Sequence, residues 1–99
     1  MAYLLALTIH LHFPENGSLK GKRKELNSVR SILSRRFGAA VAEVDHHDLW
    51  QRATLAAGLV SGSVHELERN ADGLERYLHA RFPDGIRIER RLVSFSDLS

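Results

Sequence analysis

A two-layer α+β domain in the order strand, helix, strand, strand, helix, strand is what this sequence predicts. Three observations predict it. Four stretches alternate apolar and polar residues, two longer ones carry apolar residues at helical spacing, and turn or capping residues stand at most junctions. With two right-handed crossovers the natural closure is a four-stranded antiparallel sheet in spatial order 4-1-3-2 with both helices on one face, the ferredoxin-like arrangement. The 99 residues are expected to make one such domain, residues 1–99, ending in a short tail at 94–99.

The first strand alternates from residue 3 to 13. Tyr3, Leu5, Leu7, Ile9, Leu11 and Phe13 share the core face, and Leu4, Ala6, Thr8, His10 and His12 the other. Pro14-Glu15-Asn16-Gly17 is turn chemistry, and Ser18 is an N-cap for a helix at 19–37. Its buried stripe is read as Leu19, Leu26, Val29, Leu33 and Phe37, with Lys20, Lys24, Ser28, Ser31 and Arg35 opposite. Lys22, Arg23, Arg30 and Arg36 flank the stripe, where stems lie over the core and charges reach water. Gly38 ends the helix as a left-handed cap.

The second strand, 39–47, is read with Ala40, Ala42 and Val44 inward and Val41, Glu43, Asp45 and His47 outward. After Asp48-Leu49-Trp50-Gln51, the third turns Ala53, Leu55, Ala57 and Leu59 inward and Arg52, Thr54, Ala56, Gly58 and Val60 outward. Ser63-Val64-His65-Glu66 has the capping-box pattern. The helix it opens buries Val64, Leu67, Ala71, Leu74 and Leu78 before Phe82-Pro83-Asp84-Gly85 stops it. The last strand begins at Ile86, with Ile88 and Leu92 inside and Arg87, Glu89 and Arg91 outside.

Composition narrows the chemistry. With 43% apolar and 26% charged residues the chain is an ordinary globular sequence. No cysteine is present, which excludes disulfides, thiolate nucleophiles and cysteine-bound zinc and fits a reducing cytoplasm. The apolar start at 1–10 lacks a basic leader and a cleavage site, and histidines cut it short of a membrane span, so it is read as a strand. Charge is concentrated. Residues 18–37 carry +6 of a total of +2, which leaves −4 for the rest.

Ser18-Leu19-Lys20, the basic run to Lys24, Val41-Ala42-Glu43-Val44-Asp45 and above all Asp48-Leu49-Trp50-Gln51-Arg52-Ala53 carry a resemblance. Together they resemble the YlxP-like family, small bacterial proteins grouped as a domain of unknown function. Gly21 stands where the family often carries an acid. The resemblance implies a ferredoxin-like fold, a cytoplasmic protein, and genes beside translation-initiation and ribosome-maturation factors. It implies no catalytic residue.

Residues of four kinds are candidates for function. Lys20, Lys22, Arg23, Lys24, Arg30, Arg35 and Arg36 form a stripe suited to nucleic-acid phosphates; the plainer reading is a solvated face that keeps the chain soluble. Gly17-Ser18-Leu19-Lys20-Gly21-Lys22-Arg23 lacks the spacing of a phosphate-gripping loop and is read as a turn. The uncovered sheet face gathers His10, His12, Asp45, His47 and Arg52 at one end and small or apolar residues, Gly58 among them, at the other, a pattern that suits a partner and first of all a second copy. His10 and His12 are set against a metal role by the charge of Arg52 beside them. Trp50 is read as a cover on the end of the core, or else as a ring for a base to stack on. No nucleophile pairs with Asp45, His46, His47 and Asp48, so no catalytic residue, cofactor or small-molecule substrate is assigned. The expectation is a non-enzymatic cytoplasmic homodimer that binds RNA or a ribosomal particle through its first helix, with no membrane contact. The alternative is a homodimeric protein–protein adaptor that works through the open sheet face.

Overall fold

The computed structural model describes residues 1–98, and Ser99, the end of the expected tail, lies outside them. The elements are β1 (Tyr3–His12), α1 (Leu19–Phe37), β2 (Ala40–Asp45), β3 (Arg52–Ser61), α2 (Val64–Arg81) and β4 (Ile86–Ser94), followed by a 3-10 turn at Phe95–Leu98. The strands form one antiparallel sheet in the order β2-β3-β1-β4, the expected 4-1-3-2 order read from the other edge.

Both helices lay their buried stripes on the same sheet face. Leu5, Leu7, Ile9 and Leu11 of β1 and Ala53, Leu55, Ala57 and Leu59 of β3 meet Leu26, Val29, Leu33 and Phe37 of α1 and Leu67, Ala71, Leu74 and Leu78 of α2 in one cluster. Each such leucine contributes about 1.5–3 kcal/mol by leaving water. Phe13 and Phe82 close one end, edge to face at 5.5 Å between centroids.

The helix ends follow local chemistry. Ser18 Oγ accepts the Gly21 N–H at 3.0 Å, and Gly38 takes the left-handed conformation at φ 69. Ser63 Oγ accepts the Glu66 N–H at 3.2 Å, but the reciprocal half of the box runs through Ser61, whose hydroxyl accepts from the Ser63 N–H and donates to Glu66. The Phe95 N–H donates to the Ala2 carbonyl and holds the tail against the start of the chain. No helix among the described residues is long and apolar enough to cross a membrane.

Three expectations about facing need correction. In β2 the inward residues are Val41 and Glu43, while Ala40, Ala42 and Val44 are exposed. Ala39, directly after the αL cap, is the buried residue, so the alternation starts one position earlier than apolar content alone suggests. A register shift between Glu43 and Asp45 then returns Asp45 to the open face, opposite Thr54. Leu19 and Leu92, expected inside, are exposed: the first sits at the outer turn of α1, the second towards the end of edge strand β4.

Candidate nucleic-acid interface

Lys22 decides how this end of the molecule is built. It lies four residues before Leu26 and seven before Val29, in the middle of the α1 stripe, and its side chain is only 1% exposed. This corrects the expectation that its charge reaches water beside the stripe. The ammonium donates to the carbonyls of His46 (2.7 Å), Leu49 (2.7 Å) and Arg52 (2.9 Å), with His47 O more distant at 3.4 Å. Three short bonds match its three hydrogens. Glu43 supplies the counter-charge: its Oε2 is 3.2 Å from Nζ and forms no hydrogen bond of its own. That is why an acid occupies an inward position of β2. Burial of an ammonium is tolerable only with such compensation.

The cage also orients the loop between β2 and β3. With its carbonyls turned in towards Lys22, the side chains of His47, Leu49 and Trp50 point out to solvent. His46, with φ 63, makes the turn in the left-handed region, and its N–H is held by Asp45 Oδ1 at 2.7 Å. Asn16 stitches the loop to the turn before α1: its amide donates to the carbonyls of Ser18 and Trp50. Gly21 leaves room for it, since a Cβ there would overlap Asn16 Oδ1. Trp50 is 51% exposed, so it is not the core cover it was expected to be. The loop is anchored from beneath by Lys22, and the indole is left free.

The other cations of α1 stay on the surface. Lys20, Arg23, Lys24, Arg30, Arg35 and Arg36 are exposed, and among the described residues none of them forms an ion pair. Glu25, the single acid of this helix, faces α2 and lies 3.7 Å from Arg81. Arg30 and Arg35 make only long contacts to main-chain carbonyls, at 3.5 and 3.4 Å. The Arg36 guanidinium lies over the Phe37 ring at 5.0 Å. From Lys20 to Arg35 the band runs about 22 Å along the helix, and its first turns adjoin the loop that carries Trp50.

On the open sheet face, His10, His12, His46, Arg52, Thr54 and Arg87 line a hollow of about 400 Å³. His10 is across from Thr54 and His12 across from Arg52, as the alternation implies. His47 is in the loop instead, 4.0 Å from Glu43 Oε1, and His46 takes its place at the hollow. Gly58 lies mid-face beside Ala6 and Ala40. Among the described residues no three potential ligands converge as a metal site. A hydrogen bond with His10 at 2.8 Å and then the charge of Arg87 hold the Glu89 carboxyl below the usual carboxylate range. The stability this contributes is present above the unfolded carboxylate value and fades as pH falls through the lower folded one. In an NMR titration Glu89 should therefore protonate below the ordinary glutamate range, and His10→Phe should move it back up; identical Glu89 midpoints in both proteins would contradict the assignment.

Sequence reasoning missed the Lys22–Glu43 cage. The available signal was a lysine at a central stripe position and a glutamate whose parity matches Val41 and Ala39.

The family described as "Protein of unknown function (DUF503)" matches residues 4–90. The uncharacterized protein YlxP of Bacillus subtilis (strain 168) is 29% identical over 77 residues, covering 78% of this chain and 79% of that one. Among solved structures, the de novo designed protein Foldit4 superposes with a TM-score of 0.66 at 9% identity, over 95% of this chain and 98% of its own. SnoaB, a cofactor-independent oxygenase from Streptomyces nogalater, superposes with a TM-score of 0.52 at 12% identity, over 93% and 91%. At these identities the two structures are likenesses of fold alone.

Proposed function

We propose, from the premise that this chain belongs to the DUF503 family of proteins of unknown function, that it is a non-enzymatic cytoplasmic protein that binds RNA or a ribonucleoprotein. The exposed cations of α1 track phosphates, and Trp50 offers a ring to an unstacked base next to them. One observation carries the reading. Outside α1, Arg81 pairs with Glu25, Arg87 with Glu89 and Arg90 with both Asp72 and Glu75, while Arg52, Arg69, Arg76 and Arg91 form no ion pair among the described residues and are scattered over other elements. On α1 six exposed cations without an ion pair follow one another along a single helix. Like charges along one helix cost stability, and a polyanion that neutralises them releases its counterions on binding. An exposed aromatic beside a basic groove is the usual means of holding single-stranded nucleic acid. The gene neighbourhood implied by the resemblance to the YlxP-like family favours RNA over DNA.

The test is retention on immobilised RNA. Wild type is retained at low salt and released as salt rises, and Lys20→Glu with Lys24→Glu flows through. Unchanged retention of the double variant would end the proposal. Trp50→Ala separates the aromatic's role from folding. Its ring is half exposed, so stability should change by no more than ~0.5 kcal/mol, while RNA affinity falls by the ~1–3 kcal/mol of one stacked base. A stability loss well above that, with affinity intact, would return Trp50 to the core.

A further inference from the structure

We infer that the open face of the sheet is a homodimer interface, in which two copies of this chain stack face to face about a two-fold axis that runs along the strands. The helices cover only the other face, yet the middle of this one across β1, β3 and β2 is built of small side chains and one end of it is apolar. Across that middle, with Arg91 and Glu89 at the β4 ends, lie Ala6, Gly58 and Ala40 in one row and Thr8, Ala56 and Ala42 in the next. Side chains this small let a second sheet approach closely. Val93, Leu4 and Val60 form the row at one end, with Val60 63% exposed. At the other end Arg87, His10, Thr54 and Asp45 lie side by side across β4, β1, β3 and β2.

This pattern selects one symmetry. Two stacked copies of one sheet can be related by an axis across the strands or along them. An axis across the strands would set the Arg87 row against the apolar row and desolvate charges over Leu4 and Val60, which is costly. An axis along the strands lays each row over itself reversed, so the apolar ends meet and Arg87 of each copy faces Asp45 of the other. Sheets stack about 10 Å apart, a gap that one arginine and one aspartate side chain span together. Both groups have capacity to spare. Arg87 uses Nη1 for Glu89, which leaves Nη2, and Asp45 uses Oδ1 for its own turn, which leaves Oδ2 only a long 3.9 Å approach to His46. The face is thus complementary to itself in its apolar row and its Arg87–Asp45 row, with Arg91 and Glu89 at the outer β4 edge, where long side chains turn to water. The inference is independent of RNA binding.

Sedimentation of the full chain at micromolar concentration tests it. Wild type should sediment as a species of twice 11.2 kDa. Gly58→Arg, which puts bulk in the middle of the face, should give monomers with an unchanged circular dichroism spectrum. Arg87→Glu and Asp45→Lys should each weaken the dimer at least tenfold, and the two together should restore it. Arg87 is an exposed side chain, so the charge exchange remains readable even if Gly58→Arg does not fold. A monomeric wild type, a dimer that survives Gly58→Arg, or a double charge variant no tighter than the single ones would each overturn the inference.

Discussion

Lys22→Met is expected to lower the stability of the fold by about 3–5 kcal/mol, the cost of removing one partner from a buried charge cluster. Methionine matches the length of the lysine stem but has no donors. The carbonyls of His46, Leu49 and Arg52 would be left facing one another without a partner, and Glu43 would keep a buried charge with nothing opposite it. For a domain of this size each kcal/mol moves the melting midpoint by ~4–8 °C, so a fall of at least ~12 °C should be seen. In urea the midpoint should drop at unchanged slope. Glu43→Gln should cost less, because it removes only the counter-charge and leaves the three ammonium bonds in place. The loop should loosen together with the fold, and Trp50, riding on that loop, reports it by fluorescence. A loss below ~1 kcal/mol for Lys22→Met would mean that the loop is held mainly by Asn16 and its own turn.

Reversing Lys20 and Lys24 to glutamate is the second large effect. If all six exposed cations of α1 meet phosphates, wild-type affinity for RNA should fall by on the order of 10³ between 50 and 200 mM salt. Each lysine that contacts a phosphate contributes about one unit to the logarithmic salt slope, so the double reversal should flatten it by about two. The introduced carboxylates add repulsion to the lost attraction, and binding should then vanish at physiological salt. Stability should hardly move, since both side chains are exposed and unpaired. The two experiments therefore separate the cations of one helix by role: Lys22 affects folding, while Lys20 and Lys24 affect binding. An unchanged slope after the double reversal would place the polyanion elsewhere.

Most residues of β1, β3 and both helices were legible because each element repeats one simple period against a single core; Leu19 and Lys22 of α1 were exceptions. The bounds of α1, with Ser18 and Gly38 at its ends, follow from capping chemistry alone. β2 was not legible in the same way. It is short, at the edge, and almost evenly apolar on both sides, so Ala40, Ala42 and Val44 looked as suited to the core as Val41 did. What tips it is Glu43, which enters the core side only because Lys22, twenty-one positions away, waits there. Neither residue is interpretable without the other. The bulge after Glu43 then restores Asp45 to the open face, a displacement no periodicity can report. Trp50 was misjudged for a related reason: the anchor of its loop is an ammonium, not a ring.

By itself, then, the sequence determined the order of elements, the closure of the sheet, the core of β1 and β3, and the concentration of positive charge on α1. These depend on neighbours a few positions apart, where period and capping act directly. Only the tertiary structure decided which of those cations faces water and which is caged, which face β2 turns inward, and where Trp50 points. Those outcomes depend on a lysine and a glutamate meeting across the fold, because a buried charge takes its position from the partner that compensates it and not from the residues beside it in the chain.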